Sequence, residues 1–171
     1  NTTEETGFGT ERCLGVNCDD FEFLTNIPSD TTTYNDTTAC SGSTYRYRIY
    51  AFKTGYWSTE YSQVLAVTLP SIPSSFSLNA TALSESSVKL DWIDSFTDET
   101  GFIIERCEGL NCENFSQINS VSANTTSFTD NTVLWGRTYI YRVKAYKNAT
   151  CSWYVYSNTA SATTDVMAPA S

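Results

Sequence analysis

The clearest pattern in the chain is an alternation of apolar and polar residues over short stretches. Residues 87–92 place Val88, Leu90 and Trp92 on one face, with polar residues between them. A period of two indicates a half-buried β-strand, and turn-forming residues separate the stretches. Seven such strands follow one another between residues 75 and 164, which predicts an all-β sandwich. In its longer strands the predicted inward residues are Phe102, Ile104, Tyr139, Tyr141, Val143 and Ala145, and Arg142 and Lys144 point outward.

Much of this pattern occurs twice. Residues 4–53 align with residues 98–147 at a constant offset of 94, without a gap and with identity at 22 of 50 positions. A repeat of that length fits one small domain better than a solenoid unit, so the chain is predicted to be a tandem array. The predicted organisation is a partial domain at 1–69, a proline-containing linker at 70–74, a complete domain at 75–164 and the start of a further linker at 165–171.

The first copy begins part-way through its domain. Positions equivalent to the first two strands of the second copy fall before its E-T-G-F sequence, where almost no residues remain. One explanation is a longer array divided within a domain, and the other is completion of the domain by strands of another subunit. Without those strands, the apolar face of the remaining sheet is expected to meet water and to promote association. The residues predicted to be exposed in this way are Phe8, Tyr45, Tyr47 and Ile49.

Several motifs together resemble the fibronectin type III family. They are Trp92 in the second strand, G-F-x-I-E-R in the third, T-Y-x-Y-R-V-x-A-Y in the sixth, and Y-S-N near the last. The resemblance covers residues 73–164 and, from the third strand onward, residues 4–69. It implies two immunoglobulin-like β-sandwiches, the first lacking its opening two strands. It also implies that Tyr45 and Tyr139 are corner tyrosines, whose hydroxyls bond to the preceding loop.

The six cysteines predict three disulfides. Cys13 and Cys18 recur as Cys107 and Cys112, and this C-x4-C spacing fits a disulfide across the neck of a hairpin better than a zinc site. Each small loop would add about 2 kcal/mol on the chain-entropy estimate. The other pair, Cys40 and Cys151, has no counterpart in the repeat. In the resembled fold, Cys40 lies at the end of the first domain where the chain exits, and Cys151 lies at the end of the second domain where the chain enters. These two ends adjoin, which predicts an interdomain disulfide Cys40–Cys151.

Asparagines in N-x-S/T sequences are frequent. Six such sites, together with an even number of cysteines, favour a secreted or surface glycoprotein made in an oxidising compartment. A used site must lie on the surface. The candidate N-glycosylation sites are Asn1, Asn35, Asn79, Asn114, Asn124 and Asn148.

The composition removes several function classes. The chain has no histidine, so the commonest general base and metal ligand are absent, and its net charge of −9 disfavours nucleic acid and anionic membranes as partners. No nucleophile or phosphate-binding motif stands out, which predicts a non-enzymatic chain with no metal and no cofactor. Trp57, Trp135 and Trp153 are predicted in or near loops, as candidate contact aromatics or as filling at the domain junction.

These observations predict a non-catalytic structural or adhesive segment of an extracellular, N-glycosylated cell-surface or filament-forming protein, stiffened by disulfides. The expected partners are other copies of the chain or neighbouring domains of the same protein, including strands that complete the first domain, and N-linked glycans. Two alternatives stay open, a spacer in a secreted carbohydrate-active enzyme and a ligand-binding receptor ectodomain. Fold likeness alone does not choose among them.

Overall fold

The structure is a computed structural model that describes residues 5–57 and 60–166, with the side chain of Trp57 excepted. The described residues form strands, turns and connecting segments without an α-helix, which confirms the predicted all-β class. Among them there is accordingly no helix with the length and apolar character needed to cross a bilayer. The chain divides into two compact units, Asn1–Ile72 (unit 1) and Pro73–Ser171 (unit 2). This division falls inside the predicted linker at 70–74.

The described part of unit 1 forms a single antiparallel sheet. Its strands lie in the order β2-β1-β3-β4, and β5 also pairs with β3. The register places Gly7 opposite Pro28 on one side and opposite Phe52 on the other, so β1 lies inside the sheet. The strands are β1 (Gly7–Leu14), β2 (Glu22–Pro28), β3 (Thr44–Lys53), β4 (Tyr56–Trp57) and β5 (Leu65–Thr68).

Unit 2 contains two antiparallel sheets. One has three strands in the order β10-β7-β6, and the other has the order β12-β11-β8-β9 with β13 also paired to β11. The strands are β6 (Leu78–Ser84), β7 (Ser87–Trp92), β8 (Gly101–Glu108), β9 (Ser116–Ser122), β10 (Ser127–Asp130), β11 (Thr138–Lys147), β12 (Trp153–Tyr156) and β13 (Ala160–Thr163). Unit 2 thus has the two sheets of the β-sandwich that the resemblance implies.

The core of unit 2 lies between its sheets, as the alternation predicts. The inward residues of β7, β8 and β11 are completely or almost completely buried, because each faces the opposite sheet while its sequence neighbours face solvent. Phe102, at the centre, has aromatic neighbours from other elements, with Trp92 at 5.5 Å and Phe76 at 6.2 Å between ring centroids. The residues with 0% exposure are Val88, Leu90, Phe102, Ile104, Tyr141, Val143 and Ala145.

The closing segment of unit 2 forms two strands rather than one continuous strand. It is broken between β12 and β13, where Ser157 and Asn158 use their side chains as backbone partners. The Ser157 hydroxyl accepts a hydrogen bond from the Val143 backbone N–H (3.0 Å), and Asn158 binds both the N–H (2.8 Å) and the carbonyl (3.0 Å) of Leu78 at the start of β6. Side-chain bonds therefore replace ladder bonds at the break and tie the closing segment to the other sheet.

The described residues of unit 1 form no second sheet, as the sequence predicts. In its described part no strand corresponds to β6 or β7, and the segment 31–36, equivalent to the region of β10, is not a strand either. A short strand exists only through a ladder with a neighbour, and the neighbour of β10 in unit 2 is β7. Because the described part of unit 1 has no equivalent of β7, the segment 31–36 has no neighbouring strand to pair with and does not form the equivalent of β10.

The open face of unit 1 is only partly as exposed as predicted. Ile49 is 38% exposed, and Phe8 and Tyr47 are half-buried. Tyr45, however, is only 4% exposed, so the prediction that it faces water is wrong. Its ring lies under the Arg12 guanidinium, 4.7 Å from the ring centroid, and its hydroxyl is held by the loop before β3. Local contacts therefore bury Tyr45 without a second sheet.

Candidate functional site: the open face of unit 1

The open face of unit 1 forms a groove of about 700 Å³. Its floor is the inner face of β1, β2, β3 and β5, and its wall is the segment 31–36 together with Ala39. Two floor residues of β5 are large and exposed, Leu65 at 64% and Val67 at 39%. The remaining apolar floor residues are Phe8, Ile27, Ile49 and Leu69. Apolar side chains thus line a concave surface where unit 2 has a packed core.

A polar cluster around Asp36 holds the wall against the sheet. One carboxylate oxygen of Asp36 accepts bonds from the Arg12 guanidinium (2.5 Å) and the Tyr47 hydroxyl (2.9 Å). The other oxygen accepts bonds from the backbone N–H (2.9 Å) and hydroxyl (2.7 Å) of Thr38. Each carboxylate oxygen of Asp36 therefore already accepts two hydrogen bonds, which disfavours a catalytic role for this residue.

The electrostatics of this cluster follow from its contacts. Burial opposes the ionisation of Asp36, but the hydrogen bonds from Thr38, Tyr47 and Arg12 outweigh it and lower the pKa of the carboxyl. Burial and the neighbouring carboxylate act together on the phenol and raise the pKa of Tyr47 to about 12. Near neutral pH the cluster thus consists of an Arg12–Asp36 ion pair and a neutral Tyr47. Its groups do not change protonation state there, so its role is to position the segment 31–36.

The same cluster occurs in unit 2. The carboxylate of Asp130, on β10, accepts bonds from Arg106 (2.6 Å), the Tyr141 hydroxyl (3.0 Å), and the backbone N–H (2.9 Å) and hydroxyl (2.7 Å) of Thr132. There it anchors β10 to the opposite sheet. Both copies of the repeat therefore share the cluster, and in unit 1 it holds the segment 31–36 at the position equivalent to β10.

The other face of each sheet carries a stacked arginine. The Arg48 guanidinium lies over the rings of Phe21 (4.1 Å) and Tyr61 (3.8 Å) and pairs with Glu11 at 2.6 Å. In unit 2 the same contacts are made by Arg142 with Phe115 and Tyr156, at 4.3 Å each, and with Glu105 at 2.6 Å. These contacts combine cation–π and ionic interactions. These contacts were not predicted from the sequence, although the Phe, Arg and Glu residues recur in both copies at the same offset.

Disulfides close both C-x4-C loops. Cys13 is bonded to Cys18 and Cys107 to Cys112, each with a Cα–Cα distance of 6.0 Å. The sulfur atoms of the first pair lie near a carboxylate oxygen of Asp20, but disulfide sulfurs are not thiolate ligands, so this group is a poor metal site. Cys40 lies in the loop before β3 and Cys151 in the turn after β11. These two cysteines belong to different units, and their pairing stays a prediction.

The candidate glycosylation sites lie on the surface where they are described. The asparagines at 35, 79, 114, 124 and 148 are all exposed, and Asn1 lies outside the described residues. Asn79 points outward from β6, Asn124 occupies a turn with a φ of 60°, and Asn35 stands in the wall of the groove. Each exposed site meets the steric requirement for a glycan.

Both predicted corner tyrosines are confirmed. The Tyr45 hydroxyl accepts a hydrogen bond from the Cys40 backbone N–H (3.1 Å), and the Tyr139 hydroxyl accepts one from the Leu134 backbone N–H (2.9 Å). These equivalent bonds hold the loop before β3 in unit 1 and the loop before β11 in unit 2, although the usual Leu-x-Pro sequence is absent from both loops.

The three candidate contact tryptophans have different surroundings. Trp135 is 55% exposed, next to the exposed Leu134, and is open to a partner. Trp153 is half-buried and stacks on Phe96 at 5.1 Å between centroids, so its ring contributes to packing within unit 2. The side chain of Trp57 lies outside the described residues.

Comparison with solved structures gives likenesses of fold. No protein-family model and no curated protein sequence matches the chain. The chicken CNTN1 FN1-FN3 domains share 15% sequence identity with it at a TM-score of 0.48, over 95% of this chain and 56% of that chain. This chain therefore spans just over half the length of that structure. A two-domain fibronectin type III segment of chicken tenascin shares 12% identity at a TM-score of 0.45, over 95% and 85%.

A further solved structure is similar over a shorter range. Pectate lyase Pel3 from Pectobacterium carotovorum shares 20% identity at a TM-score of 0.44, over 56% of this chain and 27% of that chain. The chain resembles tandem fibronectin type III domains. In unit 2 that resemblance rests on the two sheets, their strand order and the corner tyrosine, and it concerns fold alone.

Proposed function

We propose that this chain is a non-catalytic structural or adhesive segment of an extracellular, N-glycosylated cell-surface or filament-forming protein. The observation that carries the proposal is the repetition of one disulfide-closed β-sheet, with Cys13–Cys18 and Cys107–Cys112 at equivalent places. Disulfides of this kind persist in oxidising compartments. Short disulfide-closed hairpins on a repeated sheet suit a module that holds its shape.

Surface chemistry supports an extracellular location. All five described sequon asparagines are exposed, and they lie on several different elements. The net charge of −9 keeps such a surface soluble and repels anionic partners. A module with this surface would meet other proteins and glycans.

Stiffness would come from the junction between the units. Pro70 and Pro73 restrict the linker to extended conformations, and a Cys40–Cys151 disulfide would close a loop of more than a hundred residues. On the chain-entropy estimate that bond would contribute about 4–5 kcal/mol. A clamped junction fits a spacer or fibre subunit, whose mechanical role requires a fixed length.

The test is non-reducing peptide mapping of the chain after secretion from a eukaryotic host. We expect a cross-linked peptide that contains Cys40 and Cys151, and we expect enzymatic glycan removal to convert exposed sequon asparagines to aspartate. A Thr81→Ala variant, which destroys one sequon on β6, should lose only the signal at Asn79. Free thiols at Cys40 and Cys151 together with unmodified asparagines at every exposed site would overturn the proposal.

A further inference from the structure

The loop between β11 and β12 distinguishes unit 2 from unit 1. In unit 1 residues 54 and 55 join β3 to β4, whereas in unit 2 residues 148–152 join β11 to β12. The repeat alignment places Thr54 opposite Asn148, so the N-x-S/T sequence that begins at Asn148 occurs in the longer loop alone. The Asn148 backbone N–H donates a hydrogen bond to the Thr100 hydroxyl (2.9 Å), which fixes the start of this loop. A candidate glycan attachment point is thus held at a defined position in unit 2.

A cleft of about 620 Å³ opens beside this asparagine, and Asn148 is part of its lining. Tyr146 on β11 and Tyr154 on β12 also line the cleft, and the strand register places these two tyrosines opposite each other. Ile103 of β8 adds an apolar side chain, and Tyr154 is 68% exposed. The volume lies within the usual range for sites that bind small molecules. Aromatic rings therefore stand directly beside the candidate attachment point.

Charged and hydroxyl groups accompany the aromatic rings. The Lys147 ammonium pairs with the Asp98 carboxylate (2.5 Å), and the Lys144 ammonium lies 6.0 Å from the centroid of the Tyr154 ring. Ser152 also lines the cleft. The negative face of an aromatic ring attracts the slightly positive hydrogens of C–H groups. A pyranose ring has C–H groups on its faces and hydroxyl groups at its edge, so it matches both parts of this lining.

We propose that this cleft binds the N-linked glycan of Asn148, with the first N-acetylglucosamine packed against Tyr154 and Tyr146. The proposal rests on the proposed function, because it requires a glycosylated chain, and it adds where on the protein the sugar lies. Attachment is the argument for this occupant. A glycan on Asn148 begins within the lining, so its first sugars are present there at a high effective concentration. A free ligand would have to offset the entropy cost of association.

The test is a double-mutant cycle on the full chain, secreted from a eukaryotic host. Thr150→Ala removes the glycan but keeps Asn148, and Tyr154→Ala removes the ring; Tyr154 is largely exposed, so both variants should fold. Hydrogen exchange with mass spectrometry follows the amides of β11. We expect the glycan to slow their exchange by about fivefold when Tyr154 is present. In the Tyr154→Ala background the glycan should have no effect.

Nuclear magnetic resonance of the chain with a ¹³C-labelled glycan tests the contact directly. Protons that lie over an aromatic ring are shielded by its ring current. We therefore expect upfield-shifted C–H protons in the first N-acetylglucosamine of the Asn148 glycan. Tyr154→Phe keeps the ring and should keep the shift, whereas Tyr154→Ala should abolish it.

The sequon at Asn79 supplies a matched control. Asn79 lies on the outward face of β6, opposite the polar Asp91. Thr81→Ala removes the glycan at this site and should change the exchange of the β11 amides by less than about twofold. A larger effect would show that glycans slow exchange wherever they are attached, which would overturn the proposal.

Three further results would overturn the proposal. They are an unmodified Asn148 in a chain whose other sequons carry glycans, an Asn148 glycan without upfield-shifted protons, and an effect of Tyr154→Ala that is equal with and without the glycan. Each of these results leaves the proposed function intact, because glycans at the other sequons and the Cys40–Cys151 peptide test that function separately.

Discussion

Phe8 and Phe102 stand at the same place in two copies of one β-sheet, yet only Phe102 is completely buried. The sheets share their strand order, their stacked arginines and their Asp–Arg–Tyr clusters, so the difference does not come from the strands that hold the two residues. It comes from the layer above them. A β-sheet carries the pattern of a core on one face, but the core forms only when a second layer removes that face from water.

The largest expected contrast is at this pair of phenylalanines. Phe102→Ala should lower the free energy of unfolding of unit 2 by about 3–5 kcal/mol, because it leaves a cavity between Trp92 and Phe76. Phe8→Ala should lower that of unit 1 by only about 1 kcal/mol, since water already reaches the site. Hydrogen exchange with mass spectrometry measures the two units separately. Equal losses would show that unit 1 is covered in solution.

The second contrast concerns the buried ion pair. Asp130→Ala should destabilise unit 2 by about 3 kcal/mol, because the carboxylate is 1% exposed and its loss leaves Arg106 and Tyr141 without their acceptor. Asp36→Ala should cost less than half as much, since Tyr47 is half-buried where Tyr141 is fully buried, so water at the open face can solvate the Tyr47 hydroxyl. Denaturant unfolding of each variant checks this order. The reverse order would mean that the Asp36 cluster is the main support of unit 1.

The carboxylate of Asp130 should also make the stability of unit 2 depend on pH in the acid range. Burial opposes the ionisation of Asp130, but hydrogen bonds from Thr132 and Arg106 outweigh it and lower its pKa below the ordinary value of 3.8. The folded state therefore binds this proton less readily than the unfolded state. The resulting stabilisation is present above about pH 3.8 and is lost as the pH falls through the folded-state pKa. Asp130→Asn should remove this part of the pH dependence, and an unchanged acid profile would contradict the assignment.

The smallest contrast is at the break in the closing strand. Asn158→Ala should lower the stability of unit 2 by about 1–2 kcal/mol, because the Leu78 backbone N–H and carbonyl both lose a partner. Gln63 follows the corresponding Tyr-Ser pair in unit 1, is exposed, and has no equivalent of β6 beside it. Gln63→Ala should therefore change stability little, as thermal unfolding of the two variants will show. A comparable loss from both would imply that unit 1 acquires a strand like β6 in solution.

The sequence by itself determined everything that depends on short-range pattern. Alternation defined the strands and their inward faces, as at Val88 and Leu90, because side chains of a strand point to opposite sides in turn. The spacing of Cys13 and Cys18 was enough for a disulfide, since a bond across a short hairpin loop needs no other part of the fold. The family resemblance added the corner bonds of Tyr45 and Tyr139.

Tertiary structure alone decided which of these patterns became a core. The segment 31–36 repeats much of the sequence before and within β10 but is not a strand, because a strand needs a neighbour that lies far away in sequence. Tyr45 is buried by an arginine and a loop, and Ile49 is exposed, although both follow the same alternation. Burial depends on what lies opposite a residue, and that is a property of the assembled layers rather than of the strand that carries it.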